Sequence, residues 1–200
     1  MTARRVPIFS TIMVIAAVLT MVGLGIWQLG RRGEKEALIA RYEAAISNAE
    51  PVPYPLGASE AEVEAVLYRR SAVECLFPVG EWRSIAGRNA KGASGIVHII
   101  GCGTTTATTE NDEIAYVQAG WSRDPNPPQW NGGTVTGRIA PNADGFARLI
   151  ADPPLAGLEP NAAPDPGDLP NNHLAYAVQW FFFALTALVI YVLALRRRRR

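Results

Sequence analysis

Two long apolar runs, one near each end of the chain, set the strongest limit on what this sequence can fold into. The run at residues 174–195 carries no formal charge, and as a helix it would be about 33 Å long, enough to cross a hydrocarbon core of about 30 Å. The run at residues 6–29 contains only apolar, small or weakly polar residues before Gln28. We therefore predict two transmembrane helices, at residues 6–30 and 173–195.

A cleaved secretory signal is the alternative for the first run, because Arg4 and Arg5 give it a charged start. The apolar stretch is too long for the core of a signal peptide, however, and it ends in WQLGRR without a small-x-small cleavage site. An uncleaved membrane anchor is therefore favoured.

Arginines at the two ends of the chain predict its topology. The tail at residues 196–200 is five arginines, and with Arg4 and Arg5 it marks one side of the membrane as cytoplasmic. The basic residues after the first span have little weight, because they belong to a loop longer than about 60 residues. We expect a multi-pass protein with both termini in the cytoplasm and residues 31–170 outside it.

The charge of the chain is unevenly distributed. All 18 acidic residues but only 12 of the 19 Lys and Arg lie within residues 31–170, so the outer segment has a net charge of −6. Such a segment has no basic face for nucleic acid. The arginine tail directly follows a span, where it is typical of a topology anchor on anionic lipid, so the lipid bilayer is the expected partner.

The outer segment has the pattern of an α+β domain. SEAE at residues 59–62 has the form of a capping box and predicts a short helix ending near Leu67. Short β-branched or aromatic segments separated by Gly, Asn and Pro follow, and such short connections favour a mainly antiparallel sheet. Residues 152–170 hold six prolines and are either a linker or an extended cover. The six predicted strands are residues 68–77, 81–87, 95–101, 114–121, 134–140 and 145–151.

Candidates for catalysis are few, and we expect no enzyme. His98 is the single histidine of the outer segment, and no nucleophile-elbow motif is present. Its neighbours alternate with it as in a strand, which favours a surface or hydrogen-bonded core residue. Cys75 and Cys102 lie on different predicted strands and form either one disulfide or two buried thiols. A metal site with His98 is disfavoured, because no CxxC spacing occurs.

His173 begins the second span, and an ionisable group there suggests function. Asn171 or Asn172 would cap the helix and place His173 in its first turn. Tyr176, Ala177, Trp180 and Ala184 share its helical face. This face is either an interfacial aromatic belt or a slot for a flat ring, such as a haem whose iron the imidazole would bind.

The end of the first span brings a second group of candidates to the same depth. Gly25 permits close approach of a helix or a ligand, beside Trp27. Gln28 can form a hydrogen bond, and Arg31, with Arg32 and Lys35 nearby, can meet carboxylates such as haem propionates. The alternative for each residue is ordinary anchoring at the membrane surface.

Taken together, the two ends of the chain resemble the Surf1 family. The family pattern Leu-Gly-x-Trp-Gln-x-x-Arg, with a lysine shortly after, is matched at the first span by Leu24, Gly25, Trp27, Gln28, Arg31 and Lys35. The pattern Asn-Asn-His-Leu-x-Tyr-Ala-x-x-Trp-Phe is matched at the second by Asn171, Asn172, His173, Leu174, Tyr176, Ala177, Trp180 and Phe181. YVQAGW at residues 116–121 resembles a family strand, although Ala119 stands where the family usually has arginine.

The resemblance implies an assembly factor for cytochrome c oxidase in the bacterial inner membrane, with residues 31–170 in the periplasm. It implies that haem a is bound or handed over during maturation of subunit I, with His173 as the iron contact and Gly25 and Trp27 as residues on which function depends. Haem a synthase is a second candidate partner. A haem-free scaffold for oxidase subunits is the alternative. A sensor is disfavoured because the cytoplasmic end is only five arginines, and a copper carrier because all three methionines are N-terminal.

Overall fold

The computed structural model describes residues 7–104, 114–142 and 147–199, and these form two compact units. The first unit comprises Met1–Ala40 and Gly167–Arg200, and the second is Arg41–Pro166. Val6, Arg4, Arg5 and Arg200 lie outside the described residues, as do the first two residues of the predicted strand 145–151. The helices are α1 (Ile8–Ser47), α2 (Glu60–Val66) and α3 (His173–Arg199), and the strands are β1 (Arg70–Cys75), β2 (Phe77–Arg88), β3 (Ser94–Gly103), β4 (Ile114–Ser122), β5 (Gly133–Pro141) and β6 (Ala147–Ala151).

The first unit contains the N-terminal part of α1 and the whole of α3. Both helices are long and apolar enough to span a membrane, as the two uncharged runs predicted. They are antiparallel, because Thr11 near the start of α1 hydrogen-bonds Tyr191 near the end of α3 while Gln28 meets His173. Most of their large apolar side chains are not covered by other parts of the protein, as expected for helices that are surrounded by lipid.

The capping box at the start of α2 is present as the sequence predicts. The Ser59 hydroxyl accepts a hydrogen bond from the backbone N–H of Glu62, whose carboxylate in turn accepts from the backbone N–H of Ser59. The Ser59 hydroxyl also donates to Glu62 Oε2, and this bond, together with the one from the Ser59 backbone N–H, lowers the pKa of the Glu62 carboxyl. The cap satisfies N–H groups that a helix start otherwise leaves without partners.

The six predicted strands form one sheet in the order β1-β5-β6-β4-β3-β2. Every neighbouring pair is antiparallel except β4 and β6, which are parallel. A single residue, Leu76, connects β1 to β2, although these are the two edge strands, so the sheet curls until its edges approach at this end. The mainly antiparallel α+β domain is thus confirmed.

The inner face of the curled sheet is the core of the second unit. Val117, Val135, Ile139 and Leu149, on three different strands, are fully buried. Cys75 and Cys102 form a disulfide with their α-carbons 5.3 Å apart, which joins the end of β1 to β3. Of the two alternatives for this pair, the bridged one is correct.

The proline-rich segment after β6 lies along the sheet as far as residue 162. Glu159 exchanges two backbone hydrogen bonds with Trp121 of β4, and Ala162 N–H donates to the carbonyl of Arg88 in β2. The Asn161 side chain accepts a hydrogen bond from the buried Gln118 amide. Of the two interpretations given above, these residues therefore have the geometry of an extended cover.

Candidate functional site

The candidate site lies where the end of the first span, in α1, meets the start of α3. The carbonyl of Asn172 accepts the first helical hydrogen bond of α3, from Tyr176 N–H, so Asn172 occupies the N-cap position and His173 the first turn. Pro170, just before, cannot donate a backbone hydrogen bond and favours a helix start at this point. The half-buried His173 ring is therefore held at the mouth of the span by local sequence.

Gln28 of α1 and His173 of α3 form a direct hydrogen bond. The distance from His173 Nδ1 to Gln28 Oε1 is 2.7 Å. An amide oxygen can only accept, so Nδ1 carries the proton and Nε2 of a neutral imidazole keeps its lone pair. Nε2 has no hydrogen-bond partner within the part of the chain that the structure describes. The contact therefore fixes the tautomer of the imidazole ring and leaves Nε2 able to bind a metal ion.

The two helices approach closely at Gly25. A β-carbon added at Gly25 would lie 2.5 Å from Cε1 of the Phe181 ring, well inside van der Waals contact. One face of α3 is therefore turned to α1, and its steps of four, four, three and seven residues keep it on one side of the helix. This face comprises His173, Ala177, Phe181, Ala184 and Tyr191.

The structure divides the proposed aromatic slot. Ala177 and Ala184 are buried, whereas Tyr176 is 52% exposed. Trp180 is half-buried and its ring meets Phe183 edge to face at 6.2 Å. Trp27 is 56% exposed. The small residues thus face the helix contact, and the aromatic residues line the outside of the pair, where lipid or a flat ligand can reach them.

The basic residues after the first span are paired within their own helix. Arg31 forms an ion pair with Glu34, and Arg32 Nε lies 2.7 Å from Glu36 Oε1. All four side chains are exposed, so each pair contributes no more than about 0.5 kcal/mol and is easily exchanged for another carboxylate. The structure does not join Arg31 to His173.

Two residues of this site, Asn171 and Phe181, were matched to the family pattern from the sequence but were not predicted to contact a cofactor. Phe181 fills the space over Gly25, and the buried Asn171 Oδ1 has no hydrogen-bond donor among the described residues. Asn171 precedes His173 by only two residues, and an unsatisfied buried acceptor at a helix mouth is costly unless a water or ligand donates to it. The position of Asn171 two residues before His173 was the feature of the sequence that could have indicated its place in the site.

His98, in the second unit, is a satisfied core residue. Ser122 donates its hydroxyl proton to the Asp124 carbonyl, so it must accept from His98 Nε2–H at 2.9 Å. Nδ1 is then the acceptor, and Ser84 donates to it at 2.9 Å. Burial lowers the pKa of His98, against a smaller opposing effect of Asp124. Both ring nitrogens are occupied, which leaves His98 no role as a ligand.

These features define a membrane protein with two spans, one before and one after a six-stranded mixed-sheet domain in the sequence, and with a histidine of the second span bonded to the first. The chain belongs to the SURF1 family, whose sequence model matches residues 15–185. This is a family of assembly factors, associated with cytochrome c oxidase and not known as enzymes. Comparison with curated protein sequences gives no match.

Proposed function

We propose that this protein aids maturation of cytochrome c oxidase subunit I by holding haem a on its paired apolar helices, with His173 as the iron ligand. The observation that carries the proposal is the hydrogen bond from His173 Nδ1–H to Gln28 Oε1. Ligating histidines usually donate their other ring N–H to a fixed acceptor, which sets the tautomer and the ring orientation. Gln28 is the fixed acceptor in this protein, so we assign it the role of a positioning residue.

Other residues near His173 fit a haem as cargo. The exposed Trp27 and Tyr176 rings offer flat apolar surface on the outside of the helix pair. Arg31 can leave its weak ion pair with Glu34 to meet a propionate. The buried Asn171 Oδ1 can accept a hydrogen bond from a donor on the cargo or from a water. Haem would supply an iron that the imidazole nitrogen of His173 would bind.

The absorption spectrum of the detergent-purified protein, made in cells that synthesise haem a, tests the proposal. His173→Ala should lose the haem spectrum while the protein still inserts. Gln28→Leu should weaken haem binding about 10- to 100-fold, as changes in outer-shell partners of ligating histidines do. Gln28→Glu, which keeps an acceptor facing Nδ1, is the matched control and should retain haem. Equal haem content in the wild type and His173→Ala would exclude His173 as the iron ligand.

A haem-free scaffold for oxidase subunits is the second candidate, and one observation favours it. The Phe181 ring already fills the space over Gly25, so the helix pair is closed at that depth without any cargo. Under this alternative, His173→Ala leaves oxidase maturation intact. Measuring oxidase activity and haem content in the same variant therefore separates the two functions.

The proposed location is the bacterial inner membrane, with both termini cytoplasmic and residues 31–170 in the periplasm. The five arginines at residues 196–200, together with Arg4 and Arg5, support this orientation. Subunit I and haem a synthase are the proposed partners. An enzyme reporter that functions only in the periplasm should be inactive when fused after Arg200. Activity of that fusion would contradict the topology.

A further inference from the structure

A cleft in the second unit, independent of the helix pair, carries two arginines on neighbouring strands. Its volume is about 350 Å³, within the range of sites for small ligands. Arg70 of β1 and Arg138 of β5 line it, and they are directly opposite in the sheet register. Their side chains therefore leave the sheet on the same side, from α-carbons that are close neighbours.

Like charges directly opposite each other destabilise a sheet, and an anion bound between them would relieve the repulsion. Arg70 is exposed, and its side chain has no hydrogen bond or ion pair among the described residues. Arg138 is half-buried, and its Nη1 donates to the carbonyl of Tyr68 at 3.0 Å, which fixes the guanidinium and leaves other N–H groups available. Burial lowers the pKa of Arg138, the charge of Arg70 lowers it further, and the charge of Asp152 has a smaller opposing effect.

The cleft contains one acidic side chain, Asp152, and remains positive overall. Asp152 forms no ion pair within 4.0 Å of either arginine in the described chain. Thr136 Oγ1 donates a hydrogen bond to the backbone carbonyl of Asp152 at 2.8 Å, so this bond involves the backbone of Asp152 and not its carboxylate. The segment has a net charge of −6, and this charge already favours solubility. A concave positive site within it therefore needs another explanation, such as binding of an anion.

We propose that this cleft is an oxyanion site, in which Arg70 and Arg138 together bind one carboxylate or phosphate group. Guanidinium groups match both anions through paired N–H donors. Arg138 supplies the fixed donor, and Arg70 closes on the anion from the exposed side. Asp152 limits the affinity and disfavours groups that carry further negative charge on its side of the cleft.

The test is the thermal midpoint of the sheet in the full-length detergent-solubilised protein, followed by circular dichroism. Inorganic phosphate and acetate are added separately, each against sodium chloride of equal ionic strength. At tenfold excess over its dissociation constant, a bound anion should raise the midpoint by about 4 °C. The anion that produces the rise identifies the class of ligand. A midpoint that neither anion raises above the chloride control overturns the proposal.

Four variants show whether the effect arises in this cleft. Arg70→Gln should lose most of the anion-dependent rise and should be at least as stable as the wild type without anion, because it removes the like-charge contact. Asp152→Asn should increase the rise. Arg138→Gln should also lose the rise, although it removes the bond to Tyr68. Arg88→Gln, an exposed arginine on the other edge strand, is the matched control and should respond like the wild type. An unchanged rise in Arg70→Gln overturns the proposal.

Discussion

Gly25 is the position where the smallest substitution should have the largest effect on the helix pair. In Gly25→Ala the new β-carbon would lie 2.5, 2.7 and 2.9 Å from three atoms of the Phe181 ring. Ordinary carbon contacts are about 3.5–4.0 Å, so the ring or the helix must move by about 1 Å. Overpacking of this kind costs about 1–3 kcal/mol. We expect Gly25→Ala to weaken the association of α1 and α3 by that amount.

A double-mutant cycle with Phe181→Ala isolates this contact. Removing the ring empties the space that the added methyl would enter, so Gly25→Ala should cost close to nothing in the Phe181→Ala background. The coupling energy should therefore be about 1–3 kcal/mol. Gly23→Ala is the matched control on the same helix, because a β-carbon there would have no neighbour within 4 Å. Gly23→Ala should change the free energy of association of α1 and α3 by less than about 0.5 kcal/mol.

Energy transfer between fluorophores on the two helices provides the assay. Ile12 and Ile190 are exposed and lie on different helices, so cysteines placed there can be labelled while the native pair stays in its disulfide. The labelled protein is titrated with a denaturing detergent, and the loss of transfer reports helix separation. If Gly25→Ala costs as much in the Phe181→Ala background as it does beside the native ring, or if Gly23→Ala is equally harmful, the ring contact is not the cause.

Three further predictions concern the second unit. Cys75→Ser should lower the free energy of unfolding of the sheet by about 3–4 kcal/mol, because the bridge closes a loop of 27 residues, and reduction of the wild type should reproduce this in a denaturant titration. The contribution of His98 to the free energy of unfolding should be constant above about pH 6.5 and fall as the pH drops below it, because burial lowers the pKa of His98 and the unfolded chain binds the proton first. His98→Gln should lose that part of the slope in titrations at several pH values, and an unchanged slope would contradict the prediction. Ser59→Ala should cost about 1 kcal/mol by loss of the helix cap, measured in the same titration, whereas Ser47→Ala, at the other end of a helix, should cost less.

The sequence by itself determined the features that depend on neighbours along the chain. The two spans follow from runs of uncharged residues, because a helix satisfies its own backbone hydrogen bonds in lipid. The cap at Ser59 and the six strands follow from local patterns in the same way. The motif around His173 placed that residue in the first turn of α3, since its neighbours Pro170 and Asn172 set the helix start.

Contacts between distant residues were decided only by the tertiary structure. The disulfide was one of two alternatives for Cys75 and Cys102, because the pairing depends on how far the sheet curls. Periodicity does not encode the parallel pairing of β4 with β6. Gln28 and His173 are separated by 145 positions, and which imidazole nitrogen stays free depends on their meeting. In the sequence, Arg70 and Arg138 each resemble an ordinary surface charge, and only the strand register places them opposite each other. The alternation of residues along a strand predicts which side chains share a face of the sheet, but it does not predict which strands pair.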